Sequence, residues 1–298
     1  MEWNTTWEFA LFSANLHRYL PEIPWTEHPQ LYQQYTEYHQ PRLSYDRSAW
    51  ETTVLAPYTT TAPRILCLYH LGYHAQLPRV LADKGLCFDV LMDRKVFEEQ
   101  RDLLDHLRDD MNSNENTYRF LFSDNPAVLL QVRTTLQQGR HLVVFADGNS
   151  GTDTAMANRQ EVDFLNSRLA VRKGIALISH LMMTPVIPIS HRVQGQKIQL
   201  VLGEAIFPAN TPRKEYIAVC MQALYGFLSR ELAVQPWLWE CWSYLHELNA
   251  FEPEADERAD RDIVKPEDAL LPISIAGQMG YFDRLRYLFC YEMRTQRK

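Results

Sequence analysis

The chain predicts an α/β fold: a mixed, mostly parallel sheet flanked by helices, with a helical N-terminal segment before it and a C-terminal extension after it. Three observations carry this. From about residue 64, short apolar runs alternate with stretches of helical spacing. Runs such as RILCLYH and HLVVFADG are almost continuously apolar, which suits strands covered on both faces. The chain has 298 residues, 46% hydrophobic and 22% charged, enough to bury a substantial core.

The elements follow in order. Residues 1–60 are rich in Trp, Tyr, Pro and Thr and read as a helical, irregular segment packed on the core by its aromatics. Within it, Trp7, Leu11, Ala14 and Tyr19 can share one helical face, and LPEIPWTEHPQ then breaks regular structure. Residues 61–250 hold the alternating core. RILCLYH is a strand, Ala75–Lys84 a helix closed by Gly85, and CFDVLMD a strand. VFEEQRDLLDHLRDDM is a charged amphipathic helix and YRFLFSD a strand. SDNPAVLLQVRTTLQQG is a helix with cap chemistry and an early proline, closed by Gly139. HLVVFADG is a strand, RKGIALISHLMM a helix, and TPVIPISHRV and KIQLVLGEAI are strands. A long helix then begins with Thr211 as cap and Pro212 at its first position. Residues 251–298 read as an acidic, solvated linker to about 268, followed by an apolar tail that docks on the rest.

Composition excludes several classes. A net charge of −7 argues against nucleic-acid binding and against general attraction to anionic lipid. Five scattered cysteines without a CxxC imply reduced thiols and a cytoplasmic setting. The N-terminus lacks the charge-then-apolar order of a secretory signal, and no run reaches 18 uninterrupted apolar residues. Any membrane contact is expected to be peripheral.

Four stretches hold residues suited to chemistry. His70 follows a strand, where ligands of such sheets bind, and imidazole is the usual base at neutral pH. His74 lies four residues on, but no HExxH context or neighbouring carboxylate supports a metal, so none is expected. VVFADGNSGTD runs a strand into a glycine-containing loop. Asp147 there falls at the same sheet edge as His70 if their strands are parallel, and Gly148, Asn149 and Gly151 offer backbone N–H groups to an anion; an ordinary turn explains the same residues. Arg168, Arg172 and Lys173 in RLAVRKG, read as the start of a helix, suit a phosphate or a solvated face. QPWLWECWSYLHEL packs three tryptophans into six residues, which core packing alone can explain.

Together and in this order these pieces resemble the lysophospholipid acyltransferase superfamily, closest to the late acyltransferases of lipid A biosynthesis. YHLGYHA is similar to the H-(F/L)-G-N-W-E segment of that branch. FDVLMDRKVFEEQRDLLDHLR places Arg94 where the family has an arginine after the next strand. LQQGRHLVVFADGNSG and the following VDFLNSRLAVRKGIALISHLMMTPVIPI resemble its acidic loop and F-F-G-x-x-A…T-G-A-P-V-V-P pattern, and QPWLWECWSYLHEL its P-E-Q-W-x-W ending. The match spans roughly residues 64–248. It implies a glycerolipid acyltransferase-like fold and acyl transfer from a thioester, on acyl carrier protein or coenzyme A, to a hydroxyl or amine, with no bound cofactor. His70 would be the base, and Arg94 and Arg172 would contact phosphate or pantetheine.

Two departures shape the expectation. The family's motif places an orienting acid five residues after the histidine; here that residue is Ala75. Asp147 is the leading replacement and Asp153 and Glu240 are weaker ones, while Tyr73 or His74 could hydrogen-bond His70 without adding charge. The branch's usual N-terminal membrane anchor is replaced by an aromatic, polar segment, which suits a soluble member acting on small molecules, peptides or lipids and docking a carrier protein. Two other readings stand beside the enzyme. One is a catalytically degenerate scaffold that binds an acyl chain or carrier protein, as Ala75 suggests. The other is a peripheral membrane enzyme whose Trp3, Trp7, Trp25 and Trp50 lie at a lipid interface.

Overall fold

The computed structural model describes residues 6–39, 45–58, 62–102, 104, 105, 108, 119–148, 158–208, 211–248, 266–275 and 277–291. Twelve strands are described: β1 Trp50–Glu51, β2 Ile65–Leu68, β3 Phe88–Met92, β4 Phe120–Phe122, β5 His141–Phe145, β6 Arg159–Phe164, β7 Ser167–Arg172, β8 Val186–Gln194, β9 Lys197–Leu202, β10 Leu270–Ile275, β11 Gln278–Asp283 and β12 Leu288–Tyr291. The principal helices are α1 Trp7–Tyr19, α2 His28–Tyr38, α3 Leu77–Asp83, α4 Arg94–Glu99, α5 Val128–Gln137, α6 Gly174–Met182 and α7 Arg213–Val234.

Seven strands form the central sheet in the order β1-β9-β8-β2-β5-β3-β4. The five strands β8, β2, β5, β3 and β4 run parallel, whereas β9 is antiparallel to β8 and carries β1 beside it. The sheet is therefore mixed and mostly parallel, with helices on both faces. Alternation within β2 shows both faces covered. Ile65 and Cys67 enter the larger core with α1, α2, α6 and α7, while Leu66 and Leu68 enter a second core with α3.

Chain order sets the place of the site. From β2 the chain passes through α3 to β3 on one side; from β5 it passes through the β6–β7 hairpin and α6 to β8 on the other. Neighbouring strands whose connections diverge open a crevice at their carboxyl ends.

Helix ends follow local chemistry in part. Gly85 and Gly139 adopt φ of 78° and 77° and close α3 and α5, a conformation that costs other residues steric strain. The cap expected at Thr211 is different: Pro212 occupies the N-cap position with ψ 136°, α7 starts at Arg213, and no side chain caps it. The helix expected from Arg168 is also corrected. Arg168 and Arg172 lie in β7, antiparallel to β6, and the helix begins only at Gly174. The proline-rich stretch does not stay irregular, since α2 begins at His28 with Pro29 in its first turn.

α7 is long and apolar enough to cross a membrane by length and composition, and half of its most apolar window is buried in the protein. Its Glu231 pairs with Arg192 at 2.8 Å, and the Gln222 amide bonds both backbone groups of Asp163 on β6.

The C-terminal strands pack on α1. β10, β11 and β12 form an antiparallel meander whose Ile273 and Phe282 pack on Ala10 and Ala14 of α1. Residues 251–265 of the acidic stretch lie outside the described residues, as does most of the charged helix expected beyond residue 102.

Candidate functional site: an imidazole and a carboxylate 77 residues apart

The register of β2 and β5 builds the site. Leu68 pairs with Phe145 across these parallel strands, so two residues further along each strand His70 stands opposite Asp147. The His70 ring Nδ1 donates to Asp147 Oδ1 at 2.8 Å, and the His70 backbone N–H donates to Asp147 Oδ2 at 2.9 Å. A carboxylate only accepts, so Nδ1 carries the proton and Nε2 is left with its lone pair. Nε2 has no partner among the described residues, and the His70 side chain keeps 27% of its surface exposed against 2% for Asp147. The imidazole is open and the carboxylate that holds it is sealed.

A third element completes the carboxylate shell. Trp239 donates its indole N–H to Asp147 Oδ2 at 2.7 Å and is itself 1% exposed. A buried indole N–H needs an acceptor, and here the acceptor is charged. The Trp239 segment is tied to the histidine loop by an antiparallel bridge between Leu71 and Trp239. Glu240 N–H donates to His70 O at 2.9 Å, and Gly72 N–H to Leu238 O at 2.7 Å. Tyr225 of α7 donates to Ala146 O at 3.0 Å and Tyr69 to Leu224 O at 2.8 Å, fixing both strand ends to that helix.

Electrostatics follow from this packing. Burial acts against the charged form of His70, but the Asp147 charge, its hydrogen bond and the Glu240 charge outweigh it and hold the imidazole above 6.5. Burial likewise pushes the Asp147 carboxyl up, and His70 with the Trp239 hydrogen bond brings it below the usual carboxylate range. His74 is driven well below the ordinary histidine value, first by burial and then by the nearby His70. Cys241 lies 3.6 Å from the Asp147 carbonyl and 2.9 Å from the Tyr244 hydroxyl; burial raises its thiol well above its ordinary value, so it is no thiolate nucleophile.

The remaining expected residues fall in different places. Gly148 lies against the base: a Cβ there would stand 3.8 Å from His70 Cε1. Its N–H has no partner among the described residues. Arg172 lines a cleft with Ala146, Asp147, Gly148, Arg159, Tyr225 and Trp239. Arg94 instead pairs with Asp124 at 2.9 Å and lies 4.2 Å over the Phe122 ring, beyond the end of β4. His74 makes an edge contact with His70 at 5.1 Å between ring centres, and its Nε2 lies 3.7 Å from Glu240 Oε2. The Tyr73 ring packs among Tyr38, Trp50 and His191. The His70 ring makes its hydrogen bond with Asp147 at Nδ1, while His74 meets that ring edge-on. Asn149, Gly151 and Asp153 lie outside the described residues. Among the described residues no group of three His, Cys, Asp or Glu side chains is placed to hold a metal ion.

Trp239 is the participant that sequence reasoning left in the core. The signal was there: the indole nitrogen of a buried tryptophan must point at something. Of the other tryptophans, Trp50 is buried, Trp25 stacks on His17 at 3.9 Å, and Trp7 meets Phe282 edge-on at 5.0 Å. The sequence matches no protein-family model and no curated protein.

Proposed function

We propose that the chain is an acyltransferase of the lysophospholipid acyltransferase type, moving an acyl group from a thioester on acyl carrier protein or coenzyme A to a hydroxyl or amine. The observation that carries this reading is the 2.8 Å contact between His70 Nδ1 and the buried carboxylate of Asp147, with Nε2 left open. Distance and protonation state suit a general base. The acid absent at position 75 is replaced from the neighbouring strand.

In this reading His70 Nε2 takes the proton of the acceptor as it attacks the thioester carbonyl, and returns it to the departing thiolate. Asp147 keeps the imidazole in the required tautomer and stabilises the imidazolium. Gly148, next to the His70 ring, would offer its N–H to the developing oxyanion. Arg172, in the cleft beyond Asp147, suits the phosphate or pantetheine arm of the donor. A cytoplasmic setting and a carrier-protein partner belong to the same proposal.

The test is thiol release from acyl-coenzyme A and acyl carrier protein thioesters. The chain releases thiol with either donor, and His70→Ala abolishes the release. Turnover unchanged in His70→Ala removes the mechanism. Thioester binding without turnover in the intact chain favours the scaffold reading.

A further inference from the structure

Glu240 has no place in the dyad, yet the fold fixes it beside the base. Its N–H is bonded to His70 O, and its carboxylate reaches to 3.7 Å from His74 Nε2 with 42% of the side chain exposed. That carboxylate accepts no hydrogen bond among the described residues. The rings that surround the base supply no cation to it. His74, His39 and His191 are all lowered, first by burial, His39 to about 4 and His191 to about 3. Burial in turn raises Glu240 itself. The arginines of the nearby cleft, Arg159 and Arg172, belong to a wall that none of His70, His74 and Glu240 lines. Among the described residues the one cationic neighbour of Glu240 is the His70 imidazolium, and a base must be neutral to act, so in that state the half-buried carboxylate lacks a cation unless something else brings the charge. Phe145 completes the surface, 4.7 Å from the His70 ring and 6.0 Å from the His74 ring, centre to centre.

We propose that Glu240, His74 and Phe145 form the acceptor subsite and that the acceptor is a primary amine, received as its ammonium form against the Glu240 carboxylate. The inference rests on the acyl-transfer reading and names its acceptor class. The ammonium gives its first proton to Glu240, which passes it to water. The freed lone pair attacks the thioester carbonyl carbon, and His70 Nε2 removes the second proton. Collapse of the tetrahedral species breaks the carbon–sulfur bond, and the imidazolium protonates the thiolate. The products are an amide, a thiol and one proton to solvent.

Benzylamine, cationic at pH 7, and its neutral isostere benzyl alcohol are the probes. Their binding to the full chain is followed through the imidazole Cε1–H NMR signals of His70 and His74. The expected result is a saturable shift at the His74 signal with benzylamine, at an affinity about tenfold above that of benzyl alcohol, as a single charge-assisted contact gives. Glu240→Gln abolishes that preference. Equal binding of the two probes by the intact chain overturns the inference, as does a preference that survives in Glu240→Gln; the first comparison stands even if the variant does not fold. Thiol release separates the two levels. His70-dependent release without an amine preference removes the subsite and leaves acyl transfer. An amine preference without any thiol release leaves an amine site and removes acyl transfer.

Discussion

His70 is held between opposing influences, burial lowering and Asp147 raising its proton affinity, and the second prevails. In the proposed mechanism the base works only unprotonated, so thiol release should rise with pH through a titration above 6.5. Asp147→Asn should shift that limb to lower pH and reduce turnover by about 10⁴-fold, the loss seen when the carboxylate of a comparable triad is neutralised. The same raised value has a stability consequence of opposite sense. The folded state holds the His70 proton more tightly, so this stabilisation is complete below 6.5 and is lost as pH rises through the folded value. Trp239→Phe removes one charge-assisted donor and keeps most of the ring volume; we expect it to cost about 2 kcal/mol in urea unfolding and to raise the Asp147 carboxyl. If Trp239→Phe unfolds at the wild-type midpoint with an unchanged pH–rate limb, the indole hydrogen bond has no positioning role. His70 and Asp147 were legible as candidates because both end apolar strands. Their contact was not, because it depends on the register of two strands distant in sequence.

At the scale of elements, the β2 and β5 strands, the helix ends at Gly85 and Gly139 and the strand pair β8–β9 were all readable from apolar runs and glycine placement. The β6–β7 hairpin was not. Its turn uses Leu165 at φ 51°, a residue type that does not advertise a turn, and RLAVRKG offers a basic cluster that also suits a helix start. What settles it is packing on α7, where the Gln222 amide and the Ser229 hydroxyl take up hairpin backbone groups. Gly72 shows how tightly the site loop is held: at φ 34°, a Cβ would stand 3.0 Å from Leu238 Cδ2 and 3.2 Å from His191 Nε2. Another element depends on Asp89 of β3, fully buried and bonded by Arg119, Arg140 and Thr135. Burial raises its carboxyl, but these partners bring it below the usual range. Asp89→Ala leaves the half-buried Arg140 without its carboxylate, and about 3 kcal/mol of stability should be lost in denaturant titration. A loss below 1 kcal/mol would show that water replaces the carboxylate there.

Over the whole molecule, the N-terminal helices and the C-terminal meander hold one another through polar as well as apolar contacts. Arg284 donates to Ser13 Oγ at 2.8 Å and lies 3.8 Å over the Trp25 ring, while Ser13 Oγ meets His28 Nδ1 at 2.7 Å. Burial lowers the pKa of His28 to about 3 and of His17 to about 4, as it lowers His39 and His191 elsewhere. In the unfolded chain these rings take protons near 6.5. Their contribution is complete above 6.5 and is lost as pH falls toward 4 for His17 and His39 and toward 3 for His28 and His191, on the order of 1 to 2 kcal/mol for each ring by pH 5. The urea midpoint should therefore fall steeply between pH 7 and pH 5; a midpoint constant over that range contradicts the burial of these rings as neutral groups. Removal of residues 266–298 should expose Ala10 and Ala14 of α1 and speed amide exchange along that helix.

The sequence by itself determined the alternation of strands and helices, the continuous apolar character of the central strands and the position of a histidine at a strand end. Each of these is local, set by the side-chain period of two or of 3.6 and by the residues that stop an element. The tertiary structure alone decided that the carboxylate against His70 comes from position 147, that Trp239 binds the same carboxylate, and that the Glu240 backbone binds the His70 carbonyl. Those contacts join groups 77 to about 170 residues apart in the chain, and only strand register and the docking of the Trp239 segment bring them within hydrogen-bonding reach.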